Sequence, residues 1–125
     1  MNPILRFLAA TVITTILVSP DVGSAVQDSL LLDEDSALAL LERTLKRDRV
    51  YTNRISLDCV TYGTEEITHA YFQFVLRENH NAKCGGDPDT NPVVDRYRVN
   101  RQSGKIRWLE KIEGSWQPYN PSRIR

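Results

Sequence analysis

The stretch ITHAYFQFVLR, residues 67–77, decides the fold. Ala70, Phe72, Phe74 and Leu76 recur at every second position, with Tyr71, Gln73 and Arg77 among the residues between them. Alternation at that period puts apolar side chains on one face of a strand and polar ones on the other. A strand with one dry and one wet face belongs to an antiparallel sheet covered on a single side.

Downstream, residues 93–99 place Val93, Tyr97 and Val99 on one side, with Asp95 as the exception. Gln102-Ser103-Gly104-Lys105 reads as a turn, after which Ile106 and Trp108 alternate with Arg107 and point to the core. Gly114 opens a further turn into Ser115-Trp116-Gln117-Pro118-Tyr119. Upstream, Ile55, Leu57 and Cys59 alternate with Ser56, Asp58 and Val60, and Tyr62-Gly63-Thr64-Glu65-Glu66 reads as a turn. Before these lies one helix, over roughly residues 34–48. Asp33-Glu34-Asp35-Ser36 supplies its N-cap and first-turn acids, and Lys46-Arg47 its last-turn cations. Leu38, Leu41 and Leu45, flanked by Ala37 and Leu40, give it one apolar face. The expected class is α+β: one N-terminal amphipathic helix packed on an antiparallel meander sheet of about four strands.

The first residues specify a compartment. Arg6 precedes an apolar run over residues 7–18, followed by Ser19-Pro20 and then Gly23-Ser24-Ala25. A charged start, a short apolar stretch and small residues at the cleavage positions describe a secretory signal peptide, residues 1–25. The run is shorter than the roughly 20 apolar residues that cross a bilayer. Residues 26–125 then form a single small domain, expected to be periplasmic or secreted, with no membrane insertion after cleavage. The chain carries 16 basic and 16 acidic residues, and removal of Arg6 and Asp21 leaves the balance unchanged. Neutrality weighs against nucleic acid or an anionic membrane as partner.

Two cysteines, Cys59 and Cys84, lie in that domain. In an oxidising compartment an even pair reads as a disulfide, and closing such a loop stabilises by roughly 3 kcal/mol in the chain-entropy model. Cys84 sits in NHNAKCGGDPDTNP, residues 79–92, a polar stretch between two strands. Asp87, Asp89 and Asn91 stand at alternate positions, as at the start of a calcium loop. Pro92 replaces the glycine that pattern needs, and Arg98 the bidentate glutamate. What survives is an irregular calcium or small-ligand site completed by Asp95. The plainer reading has Asp87-Pro88 and Asn91-Pro92 as turn starters. Zinc is disfavoured, since His69 and His80 are the only histidines and an oxidised Cys84 is no ligand.

Residues 94–106, VDRYRVNRQSGKI, carry a resemblance. A Tyr-x-Val strand, a Ser-Gly-Lys turn and a returning strand resemble the second hairpin of PepSY-like domains in bacterial exported proteins, with Tyr71-Phe72-Gln73-Phe74-Val75 as the preceding strand. The wider shape is similar to cystatin-like folds, a helix wrapped by an antiparallel sheet. The Gln-x-Val-x-Gly signature of cystatin protease inhibitors is absent, so no inhibitory residue carries over. The resemblance implies a non-enzymatic, exported binding or inhibitory module.

Chemistry by the chain itself finds little support. No Gly-x-Ser-x-Gly surrounds Ser56 or Ser103, Glu65 and Glu66 read as solvated turn residues, and Gly85-Gly86 lacks the Lys-Ser/Thr of a phosphate loop. No cofactor is expected. Binding remains, to a protein partner in the envelope or outside the cell. Long loops without secondary structure are usually functional or disordered, and a disulfide opposes disorder. The expected contact residues are Arg77, Glu78, His80, Asp87 and Asp89 on the loop, and Trp116 as an aromatic anchor. The competing readings are a loop that is merely a pinned connection, and a structural accessory of an envelope complex working through a sheet edge or Trp116.

Overall fold

The structure, a computed structural model, describes residues 30–124. The expected signal segment, residues 1–25, lies outside the described residues. A helix, α1 (Glu34–Arg47), is followed by a 3-10 turn (Leu57–Cys59) and five strands: β1 (Val60–Ile67), β2 (Tyr71–Glu78), β3 (Val93–Asn100), β4 (Ile106–Glu110) and β5 (Ser115–Pro118). A helical turn, Pro121–Ile124, comes after them. The strands form one antiparallel sheet in chain order, a meander.

Local chemistry sets the ends of α1. Asp33 Oδ1 accepts the Ser36 N–H at 2.7 Å, which satisfies one orphan donor of the first turn. At the other end Arg49 adopts φ 52°, the Val50 N–H reaches the Leu45 carbonyl and the Arg49 N–H reaches that of Lys46. This is the Schellman closure, with an arginine where glycine is usual. The helix buries Ala37, Leu41, Thr44 and Leu45. They meet Phe72, Phe74 and Leu76 of β2, Tyr97 and Val99 of β3 and Trp108 of β4 in one core. At about 25 cal/mol per Å² of apolar surface, such burial is the main stabilising term.

Three expectations need correction. The sheet has five strands rather than about four, because residues 115–118 pair with β4. Residues 55–59 are not a strand: Ser56 Oγ accepts the Asp58 N–H at 3.3 Å and turns the chain. Residues 62–66 are not a turn but the middle of β1, and the reversal falls at residues 68–70. There Thr68 Oγ1 accepts the N–H groups of Ala70 and Tyr71. Glu65-Glu66 belongs in a strand because the register shifts there, between Thr64 and Glu66. The extra residue turns both carboxylates to the face away from α1, where Arg96 and Arg98 of β3 meet them.

Candidate functional site

The loop of residues 79–92 is closed at its base by the Glu78 N–H on the Pro92 carbonyl and the Asn79 N–H on the Cys59 carbonyl. The Cys59–Cys84 disulfide forms, with Cα atoms 5.7 Å apart. Within the loop Asn81 Oδ1 accepts the N–H groups of Lys83 and Cys84, both at 2.9 Å, and its carbonyl accepts Gly85 N–H at 2.8 Å. Asp87 Oδ1 accepts the Asp89 N–H at 3.0 Å. These are the local side-chain bonds that make asparagine and aspartate turn residues.

His80 ties the two halves together. Its Nε2 lies 2.9 Å from Glu78 Oε2, and its Nδ1 lies 2.9 Å from the Asp87 carbonyl and 2.8 Å from Thr90 Oγ1. Thr90 Oγ1 donates its own proton to that carbonyl, so acceptors face both ring nitrogens. Only the imidazolium donates from both nitrogens. The hydrogen bond to the Glu78 carboxylate, and then that to the Asp87 carbonyl, hold the His80 pKa above its ordinary value. Gly86 packs under the ring with φ 81°, and a Cβ there would come within 2.6 Å of it. Arg77 donates to the Asn91 carbonyl at 3.1 Å. The structure therefore gathers Arg77, Glu78, His80 and Asp87, as ties that order the loop. Asp89 is exposed, with its backbone rather than its carboxylate engaged.

Trp116 lies elsewhere. It stands on β5, and its ring sits 4.1 Å from the Arg98 guanidinium, whose other side meets the Tyr71 ring at 4.2 Å. Arg98 also donates to Gln73 Oε1 at 2.9 Å and lies 3.4 Å from Glu66, while Arg96 binds Glu65 through two nitrogens at 2.7 and 3.0 Å. The Arg96 guanidinium holds the Glu65 carboxyl below its usual range. This stack covers the sheet face opposite α1. Reading it in advance would have required the register from β2 through β5, and its ion pairs with Glu65 and Glu66 that of β1, which shifts at those residues.

Asp95 occupies a third place. It is 3% exposed, accepts the Tyr51 hydroxyl at 2.5 Å and meets Lys111 at 3.1 Å. Tyr51 also bonds Tyr97, and burial pushes both phenols well above their ordinary pKa. Burial likewise raises Tyr62, to about 12. Asp95 is thus bound into the core side of β3. The set Asp87, Asp89, Asn91 and Asp95 is not gathered: among the described residues no three His, Cys, Asp or Glu are placed to hold a metal ion. No helix among them is long and apolar enough to cross a membrane.

A surface cavity of about 430 Å³ adjoins the loop, lined by Cys59, Cys84, Glu78, His80, Lys83 and Arg54 among others. No family model matches the chain, and searches of curated proteins and of solved structures found no match.

Proposed function

We propose that this protein is an exported, non-enzymatic binding or inhibitory module, PepSY- or cystatin-like in shape, which engages a protein partner through the stapled loop. One observation carries the reading: residues 81–92 are exposed except for a half-buried Cys84, yet they are fixed by a disulfide and a closed set of side-chain bonds. A surface that is ordered before it meets its partner loses less entropy on binding. The disulfide also supports an oxidising compartment, hence export. Arg77, Glu78, His80 and Asp87 shape the loop, and Asp89 is the carboxylate offered to a partner.

A second reading, the structural accessory, is favoured by the Tyr71–Arg98–Trp116 stack, because Trp, Tyr and Arg are the side chains that most often anchor interfaces.

Affinity capture from an envelope extract, followed by titration of the captured protein, tests the proposal. Asp89→Lys reverses an exposed charge and leaves the bonds that shape the loop in place. Loss of affinity in that variant, with Trp116→Ala unaffected, supports the loop. The reverse pattern supports the accessory reading. Turnover in a broad hydrolase screen that disappears in Asp89→Ala would sink both.

A further inference from the structure

Three surface cavities adjoin along residues 49–56. One, of about 350 Å³, is lined by Arg49, Thr52, Asn53 and Arg54 among others. A second, of about 380 Å³, shares Arg49 and Thr52 with it and adds Lys46 from the last turn of α1. The third is the cavity beside the disulfide, which shares Arg54 with the first and Ile55 and Ser56 with the second, and brings in Lys83 from the loop. Together they make a groove that runs from the end of α1 to the stapled loop.

The groove's charge is one-sided. Its lining carries the cations Lys46, Arg49, Arg54 and Lys83 against Glu78, which is paired with His80, and an adjoining cavity that shares Lys46 and Leu57 with the second adds Glu42. The side chains of Lys46, Arg49 and Lys83 have no hydrogen bond or ion pair among the described residues. Arg54 gives one N–H to the Ile124 carbonyl at 3.3 Å and lies over the Tyr51 ring. In a chain whose charges balance overall, this is a local excess of cations over acids. Arg49 holds its place at φ 52°, a conformation that favours glycine, so the guanidinium sits there at a backbone cost.

Each of the three cavities is lined by two of these cations: Arg49 and Arg54 in the first, Lys46 and Arg49 in the second, Arg54 and Lys83 in the third. Spacing of that kind suits a row of carboxylates on an extended chain better than a single compact anion. Ser56, Thr52 and Asn53 add hydrogen-bonding groups, and Ile55 and Leu57 give the second cavity an apolar part. We infer that this groove is the docking site for an acidic, extended segment of a partner protein. The inference rests on the binding reading above and names the chemistry of its partner.

The test uses the disulfide-bonded protein and a fluorescein-labelled oligoglutamate, with binding read by anisotropy at low and at physiological salt. Binding is expected at low salt and weakens as salt screens the cations. The pair Lys46→Glu with Arg49→Glu lowers affinity about tenfold, two exposed charge contacts being removed and reversed. The pair Arg43→Glu with Lys105→Glu changes net charge equally but lines none of the three cavities, and leaves affinity within about twofold. Arg49→Gly removes the cation while easing the backbone, so weaker binding in that variant is not a folding defect. No binding of oligoglutamate at low salt overturns the inference. Equal loss in both charge-reversed pairs overturns it, as does binding of a heparin oligosaccharide without oligoglutamate. A captured partner that depends on Asp89 but ignores Lys46→Glu with Arg49→Glu removes the groove and keeps the loop. One that ignores both removes both.

Discussion

Phe74 and His80 stand six positions apart in the chain, and different forces hold them. Phe74, in the middle of β2, is fully buried and stays where it is because leaving would expose its ring to water. His80 belongs to a loop that is mostly exposed, and it stays because both nitrogens meet acceptors and a disulfide limits how far the loop can open. The first kind of order comes from burial and resists any local change. The second is a set of directional bonds in contact with solvent, each removable alone. Order of the second kind leaves the loop's outer surface available, which is why the loop rather than the core is the proposed working surface.

Substitutions separate the two regions. Phe74→Ala should have the largest effect, lowering stability by about 3–5 kcal/mol through lost burial and the cavity left behind. Denaturant unfolding would show sheet and loop lost together. Replacing Cys59 and Cys84 by serine should cost about 3 kcal/mol in the chain-entropy model. Here hydrogen exchange is expected to rise first in the loop, with the β2–β3 ladder still protected at low denaturant. Simultaneous loss in both regions would erase the distinction.

Acidity acts on the loop in a defined direction. The folded His80 pKa lies above its unfolded value of about 6.5. The stabilisation from its protonated form is therefore complete below about pH 6.5 and is lost as pH rises through the raised folded value. The facing titratable groups are Glu78 and Asp87, with Lys83 and Arg54 lining the same cavity. Loop protection should fall across that window in the native protein and stay flat in His80→Gln. The smallest effect belongs to Trp116→Ala, which removes one side of the Arg98 stack and should cost about 0.5–1 kcal/mol. A thermal shift with an unchanged loop would place that stack with the sheet.

What was legible in the sequence follows the same division. The period-two pattern of Phe72, Phe74 and Leu76 and the spacing of Leu41 and Leu45 report burial, and burial set the helix and the main strands. Ala70, by contrast, expected on the same face, is exposed in the reversal before β2, and Leu38 is half-buried. The pairing of Cys59 with Cys84 followed from count and expected compartment. Glu65-Glu66 misled because adjacent carboxylates normally read as turn or solvent. Only the register, with its irregularity at that point, shows both meeting arginines thirty-one and thirty-two residues away. Asp95 misled in the opposite sense: it broke the apolar pattern of β3, yet it faces the core because Tyr51 and Lys111 satisfy it there. His80 was expected as a contact residue rather than a tie within the loop, since nothing in a linear sequence announces that Asp87 and Thr90 fold back onto its ring. The groove was hidden for a similar reason, its four cations being spread over residues 46–83.

Amide hydrogen exchange on the oxidised protein at mildly acidic pH tests the proposed loop order most directly. The N–H groups of Cys84, Gly85 and Thr90 accept no help from the sheet and are held only by Asn81 and Asp87. They should exchange clearly more slowly than open-chain amides. Exchange at open-chain rates, with the β2–β3 amides still protected, would mean that the loop is tied at its ends and otherwise unformed, and the disulfide would then be no more than a pin.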